Sequence, residues 1–446
     1  MFRKPGLITT VTVMILLIAA CTDQSMREAP AGEREAVKNM AAVGTPNNQI
    51  VLRFANWASA EQSTRENIEK VIADFEASHP NVKIENIAIP FDQVRQQLIT
   101  MSAGGNPPDI AQLSGPWAQE LGPLGVLRDL NEFITPAELA DHFEGGLQAG
   151  TYDGKLYAIP FGLSPHGLWY NKKLLAQAGI DSPPKTMDEL NAAIVTIREN
   201  LPASVYPIGV DTTKIDYALV GFWPWMLTYG ARPMYNGDIN FNTPATQQAF
   251  AWLQMITQNG YTPLGQQIKE ERELMAKGQI AMKLDGPYTV GILRSLNPDL
   301  AGEAFYNTFG VTTVPMGNVD APVTLADIHQ LGMSTQTRHP DVAWEFIRHL
   351  VGSNIAIEAY LIPMGMIPPL KSTVNKTHAA YFTDPVSQVY INEIIPSMIG
   401  GPYNPQYGAA QQFVIQGMQE VALSNADVSE TLDNITNNLK MLYGME

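Results

Sequence analysis

Cysteine is nearly missing from this chain of 446 residues, with a single one at position 21. A lone thiol excludes an intramolecular disulfide framework and any thiolate metal cluster. Charge is thin as well, at 16% of residues, and no block of like charges interrupts the sequence. Twenty-eight bases against forty-four acids leave a net charge of −16. Without clustered Lys and Arg, nucleic acid is not an expected partner. The seven histidines are scattered, so no metal site and no cofactor is expected. Gly-x-Ser-x-Gly, His-Glu-x-x-His and Gly-x-x-x-x-Gly-Lys-Ser/Thr are all missing. Internal repeats are absent too. What is present is a globular composition, 45% hydrophobic and 9% aromatic, long enough for more than one domain or lobe.

The apolar run from Leu7 to Ala20 follows Arg3 and Lys4 and carries no charge. Fourteen residues rise about 21 Å as a helix, short of the ~30 Å of a hydrocarbon core but suited to a signal peptide. The run ends in Ile18-Ala19-Ala20-Cys21, which resembles the lipobox of bacterial lipoproteins. In that family the cut falls before the cysteine, whose sulfur carries a diacylglycerol, and two or more acyl chains give a stable membrane anchor. Residues 1–20 are therefore expected to be a signal peptide and Cys21 a lipidation site. Residues 21–48 are polar and small, a flexible tether with a reach of roughly 30 Å.

From Ile50 the pattern becomes that of an α/β protein. Ile50 to Trp57 reads as a buried strand, and Ile68, Val71, Ile72 and Phe75 recur at helical spacing. Val82 to Ile89 alternates as a strand, a helix is expected from about Asp92 to Ala103, and another strand at Asp109 to Leu113. Such a β-α-β-α-β run implies a parallel sheet with ligands beyond the carboxyl ends of its strands. Asn56, Trp57, Ser114 and Trp117 fall at those ends. Further on, Leu156 to Ile159 and Gly167 to Tyr170 read as strands. Thr186 with Glu189 forms a capping box for a helix from Met187 to Leu201, and Pro340 to Leu350 forms another amphipathic helix.

Several ordered segments resemble the extracellular solute-binding proteins of ABC importers, in the sugar-binding family that includes the maltodextrin-binding protein. They are Gly105-Asn-Pro-Pro-Asp-Ile110, Trp117 and Gly125 to Leu130, then Gly154-Lys-Leu-Tyr-Ala-Ile-Pro160 through Tyr170-Asn171-Lys172 to Glu189. Asp285-Gly286-Pro287-Tyr288, Val314 to Gly317, Ala343 to Ile347 and Ile367-Pro368-Pro369 complete the series. At Tyr288 the chain departs from the tryptophan that often ends the family's Gly-Pro motif.

The resemblance implies a two-lobed periplasmic-binding-protein fold, type II-like, with hinge crossings near Phe161 to Ser164 and Asp327 to Leu331 and a ligand cleft between the lobes. It places residues 49–162 and 329–375 in an N-terminal lobe, and 163–328 and 376–446 in a C-terminal lobe. The family's function is capture of a sugar or oligosaccharide by hinge closure and delivery to the permease, outside the cytoplasmic membrane, by a binding protein that is not an enzyme and is usually a monomer. A membrane-anchored glycoside-processing enzyme and a surface polysaccharide-binding lipoprotein stay open as alternatives.

Sugar binding calls for flat aromatic faces and for side chains that both donate and accept hydrogen bonds. Trp57 and Tyr288 are the leading stacking candidates, each at a strand or motif end. Trp223, in Gly221-Phe-Trp-Pro-Trp225, and Tyr403, in a Gly- and Pro-rich loop, are further aromatic candidates. Asn56, Ser114, Asp327 and His329 are the polar ones. Trp252 and Trp344 lie in helical patterns and are expected to pack. Lys214 and Arg232 are the evident bases near the presumed cleft, too few for a strongly anionic ligand.

Overall fold

Alternation in the first strand decides how its sheet is covered. In β1 (Ile50–Asn56), Leu52 and Phe54 face one side and Ala55 the other. The computed structural model describes residues 49–62 and 64–445. The signal-like run, Cys21 and the whole tether lie outside them. The first sheet also contains β2 (Val82–Ala88), β3 (Ile110–Ser114), β4 (Ala158–Leu163) and, later in the chain, β10 (Ile328–Met333), in the order β2-β1-β3-β10-β4.

Helix α1 (Arg65–Ser78) lays Ile68, Val71, Ile72 and Phe75 on one face of this sheet, as their spacing requires. There they join Phe346 and Ile347 of α7 (Pro340–Gly352), with Phe54 and Phe346 meeting edge to face at 5.5 Å. Helix α2 (Phe91–Ala103) covers the other face through Val94 and Leu98. The sheet is not wholly parallel, however. β1 runs parallel to β2 and β3, but β10 runs antiparallel to both β3 and β4. It enters from the second lobe at the carboxyl ends of its neighbours, so it can only run against them.

The second sheet has the order β8-β5-β7-β6, built from β5 (Gly167–Asn171), β6 (Tyr206–Gly209), β7 (Ile280–Asp285) and β8 (Phe309–Thr312). Its main core packs α3 (Met187–Asn200), α4 (Asp216–Thr228), α5 (Pro244–Gln258), α8 (Tyr407–Ser424) and α9 (Val428–Tyr443) together. The Thr186 capping box is formed: its hydroxyl accepts from the Glu189 amide at 3.2 Å, and the Glu189 carboxylate accepts from the Thr186 amide at 3.2 Å. Trp252 and Trp344 are buried in packing positions, and the Trp252 indole donates to Asn191 at 3.0 Å.

Chain crossings join the two sheets. One runs from Leu163 in β4 to Gly167 in β5. The other descends from the short β9 (Thr324–Leu325), which pairs with β11 (Met398–Ile399), into β10. They are bonded side by side: the Ser164 amide and hydroxyl both donate to the Asp327 carbonyl, at 3.0 and 2.9 Å, and Thr324 donates to the His166 carbonyl at 2.9 Å. Ile367 adds a third segment, exchanging backbone hydrogen bonds with Leu163.

Candidate ligand-binding cleft

The carboxyl ends of β1, β3 and β4 and the start of β10 lie at one end of the first sheet. The side chains there therefore converge. Trp57 follows β1 and packs edge-on against Phe91, Trp117 and His329, at centroid distances of 5.3, 6.0 and 4.9 Å. Trp117 stacks on Phe91 at 5.4 Å. Ser114 ends β3 directly opposite His329 on β10. Burial pushes the His329 imidazole down to about 4 against the pull of Asp327, so the ring is neutral at pH 7, and its Nδ1 lies 3.4 Å from the Gln112 amide.

The wall contributed by the second lobe is built on the end of β7. Asp285 is fully buried and held by two 2.8 Å bonds from Arg272 of helix α6 (Ile268–Ala276). Lys283 stands 3.9 Å from it and bonds Glu271 at 2.8 Å. Burial pushes the Asp285 carboxyl up, but the charges of Arg272 and Lys283 prevail and hold it well below the ordinary carboxylate range. Burial carries the Glu271 carboxyl up to about 7 in spite of Lys283. The Arg272 guanidinium lies over the Tyr288 ring, 5.0 Å from its centroid. The Tyr288 hydroxyl meets that of Tyr217, which reaches His166 Nε2 at 3.0 Å.

Asp327 ties these groups together. His166 Nε2 lies 3.6 Å from its carboxylate. Burial raises the phenols of Tyr217, Tyr288 and Tyr403 well above 10, and the Asp327 charge adds to each. All three are therefore neutral hydroxyls that donate and accept. Tyr403 packs edge-on to Tyr407 at 4.9 Å, its ring and hydroxyl near Gly115 of the first lobe.

Seven of the nine candidate positions thus fall in one connected neighborhood: Trp57, Ser114, Trp117, Tyr288, Asp327, His329 and Tyr403. Asn56 and Trp223 are placed otherwise. The Asn56 amide is fully buried, donates to Asn86 at 2.7 Å and accepts from the Ser59 amide at 2.8 Å, so it fixes the turn that presents Trp57. Trp223 lies within α4 with no exposed surface. Its indole donates to the Tyr407 hydroxyl at 2.8 Å in the lobe core. Arg232, named as an evident base, donates to the carbonyls of Leu227 and Ala231 instead. The bases that stand beside Asp285 are Arg272 and Lys283.

The sequence reading missed Arg272, Tyr217 and His166. Asp285 lay within the quoted Asp-Gly-Pro-Tyr motif and could have been found there. His166 lies within the first crossing, two residues past the Phe161 to Ser164 stretch expected for it. Tyr217 and Arg272 sit in ordinary helical context and carry no local signal.

The lobes also touch away from this center. Arg95 on α2 is paired with the buried Glu120, with a 2.6 Å bond from its Nε, and both lie against Gly408 in the first turn of α8. The Glu120 bond makes the Arg95 guanidinium more basic, and Asp216 of the second lobe adds to that. Glu61 at the first lobe's rim feels Lys269 and Arg272 of the second, which oppose the rise that burial gives its carboxyl.

Two α/β lobes joined by bonded crossings, with aromatic rings and neutral hydroxyls from both gathered near Asp327, are the architecture of a two-lobed binding protein. Residues 70–386 match the family model for bacterial extracellular solute-binding proteins, and the chain belongs to that family. Among curated relatives, a Brucella abortus binding protein is 22% identical over 370 residues, covering 82% of this chain and 86% of its own. The galactooligosaccharide-binding protein of Bacillus subtilis is 21% identical over 434 residues, covering 94% and 95%. Among solved structures, an ABC transporter solute-binding protein of Thermotoga lettingae bound with α-D-tagatose shares the fold. Its TM-score is 0.75 at 22% identity, over 89% of this chain and 99% of that one.

Proposed function

We propose that this chain is the sugar-capturing lipoprotein of an ABC importer, holding a neutral sugar or oligosaccharide between its lobes. The observation that carries the reading is the convergence of both lobes on Asp327. Trp57, Trp117 and His329 approach from one side and Tyr288, Tyr217 and Tyr403 from the other. Rings offer flat faces to the C–H faces of a sugar, and neutral hydroxyls, an imidazole and a carboxylate match its hydroxyl groups. The names of the Bacillus and Thermotoga relatives point to the same ligand class.

Ligand held by one lobe adds contacts to the other and shifts the population toward the closed arrangement, which the permease subunits recognize. The lobes comprise residues 49–162 with 329–375 and 163–328 with 376–446. The protein acts as a monomer outside the cytoplasmic membrane, anchored through Cys21. It makes and breaks no bonds: Asp285, a carboxylate in the cleft wall, is locked by Arg272 and does not shuttle protons.

A thermal-shift screen of sugars, amino acids and polyols tests this reading, since a ligand at 100 times its Kd adds about 2.7 kcal/mol of stability. The hit must also compact the protein in small-angle scattering and be recovered unaltered. Binding confined to non-sugars, or product release from an oligosaccharide, would refute it.

A further inference from the structure

A concavity adjoins the Asp327 neighborhood at Tyr403. It is a cavity of about 620 Å³, and its walls include Tyr152, Tyr235, Asn236, Tyr403, Asn404 and Tyr443. Its size falls in the range of small-molecule sites. Among the described residues the lining contains no charged side chain, so it offers no Lys or Arg to a phosphorylated or carboxylated ligand.

Its polar groups are bonded in ways that hold the rings in place. The Tyr235 hydroxyl donates to the Gly400 carbonyl at 2.9 Å, and the Tyr443 hydroxyl and Asn404 amide are joined at 3.1–3.2 Å. The backbone is strained locally. Four described non-glycine residues have left-handed φ: Asp153, Met234, Asn236 and Asn425. Met234 and Asn236 line this cavity and Asp153 adjoins Tyr152. Strain of this kind persists where the surroundings over-determine it, and it clusters at ligand clamps.

The walls come from both lobes. Tyr152 stands on a hairpin, Thr151–Tyr152 with Lys155–Leu156, tied to the first lobe by the Asn131 amide on the Gly154 carbonyl and the Leu156 amide on Asp129. Tyr235, Tyr403 and Tyr443 belong to the second lobe's core or pack against it. Tyr403 is shared: it lines this cavity while its hydroxyl end lies near Gly115 and within the field of Asp327.

We infer that this groove is an outer subsite for the distal units of a neutral oligosaccharide whose inner unit occupies the cleft at Asp327, with Tyr403 standing between the two. The inference rests on the proposed sugar-receptor function and extends it to chain length. Because Tyr152 comes from one lobe and its facing tyrosines from the other, a distal unit gripped there also favors closure.

The test is calorimetric titration of the whole protein with a neutral α-1,4-glucan series and a β-galactooligosaccharide series, each from one to seven units. The wild type is compared with Tyr152→Ala and Tyr152→Phe. Removing the ring should cost about tenfold in affinity, but only for members long enough to reach the groove. Y152F should bind like wild type at every length, and short members should bind all three proteins alike. Unchanged melting temperatures without ligand separate this from misfolding. An equal loss at all lengths, no loss at any length, or two short saccharides bound per chain would overturn the outer subsite while leaving the receptor reading intact. Failure of wild type to bind either series at any length would also overturn it, and binding confined to non-sugars in the thermal-shift screen would remove the receptor reading as well.

Discussion

Gly408 offers a way to alter closure without touching the ligand. A Cβ at this position would stand 2.9 Å from Arg95 Cζ and 3.2 Å from Glu120 Oε1. Real Cβ atoms do not approach that closely, so Gly408→Ala must displace the guanidinium when the lobes are together. Arg95 is a long side chain and could swing away, but Glu120 is 5% exposed and would lose its partner. The cost is that of an overpacked contact, about 1–3 kcal/mol.

That cost falls on the closed form alone, so ligand affinity should drop about 5- to 150-fold. In the open form the same substitution replaces a helical glycine with alanine, which favors the helix by up to about 1 kcal/mol. G408A should therefore unfold at the same or a higher temperature without ligand while binding more weakly, a combination that general destabilization does not produce. Titration calorimetry gives the affinity, and scattering at saturation gives the compaction. Combining G408A with Arg95→Ala clears the space and should cancel most of the added penalty. If G408A binds as tightly as wild type, the Arg95 and Glu120 contact has no part in closure.

Two further outcomes follow from the charges in the cleft. His329 stays neutral in the folded state down to about 4, whereas an unfolded histidine takes its proton near 6.5. The unfolded chain thus binds more protons in that window, and stability must fall on acidification from pH 6.5 toward 4 by at most about 3 kcal/mol. The ligand-free His329→Gln protein, followed by urea unfolding across this range, should lose correspondingly less; parallel curves would exclude the effect. Asp285→Asn leaves Arg272 buried without its carboxylate and should cost about 3–5 kcal/mol in urea unfolding. A loss below about 1 kcal/mol would mean that the pair is relaxed by water.

Much of the architecture could be read before the structure because it is carried by local periodicity. Ile68, Val71, Ile72 and Phe75 announce α1, and Thr186 with Glu189 announces the start of α3, through contacts a few residues apart. The antiparallel β10 could not be read that way, since its direction is set by a return from the other lobe. The cleft divides similarly. Trp57 and Tyr288 follow strands or motif ends and come to lie beside His329 and Arg272, whereas Trp223, a lesser candidate in an aromatic run, has its indole bonded to Tyr407, 184 residues away. Arg272 was invisible because nothing near it in the chain marks its partner Asp285 on β7.

The place of β10 also bears on how the molecule is made. It lies between β3 and β4, so the first sheet lacks an interior strand until residues 328–333 exist. Helix α7, which covers that sheet with Phe346 and Ile347, comes later still. An emerging chain therefore cannot complete the amino-terminal lobe first and the other afterwards, the usual order for domains in series. Nearly all of the second lobe's strands must be synthesized before the first lobe can close its core. Until then the edges of β3 and β4 that β10 will join stand unpaired, so the nascent protein carries two open sheet edges rather than a half-finished receptor.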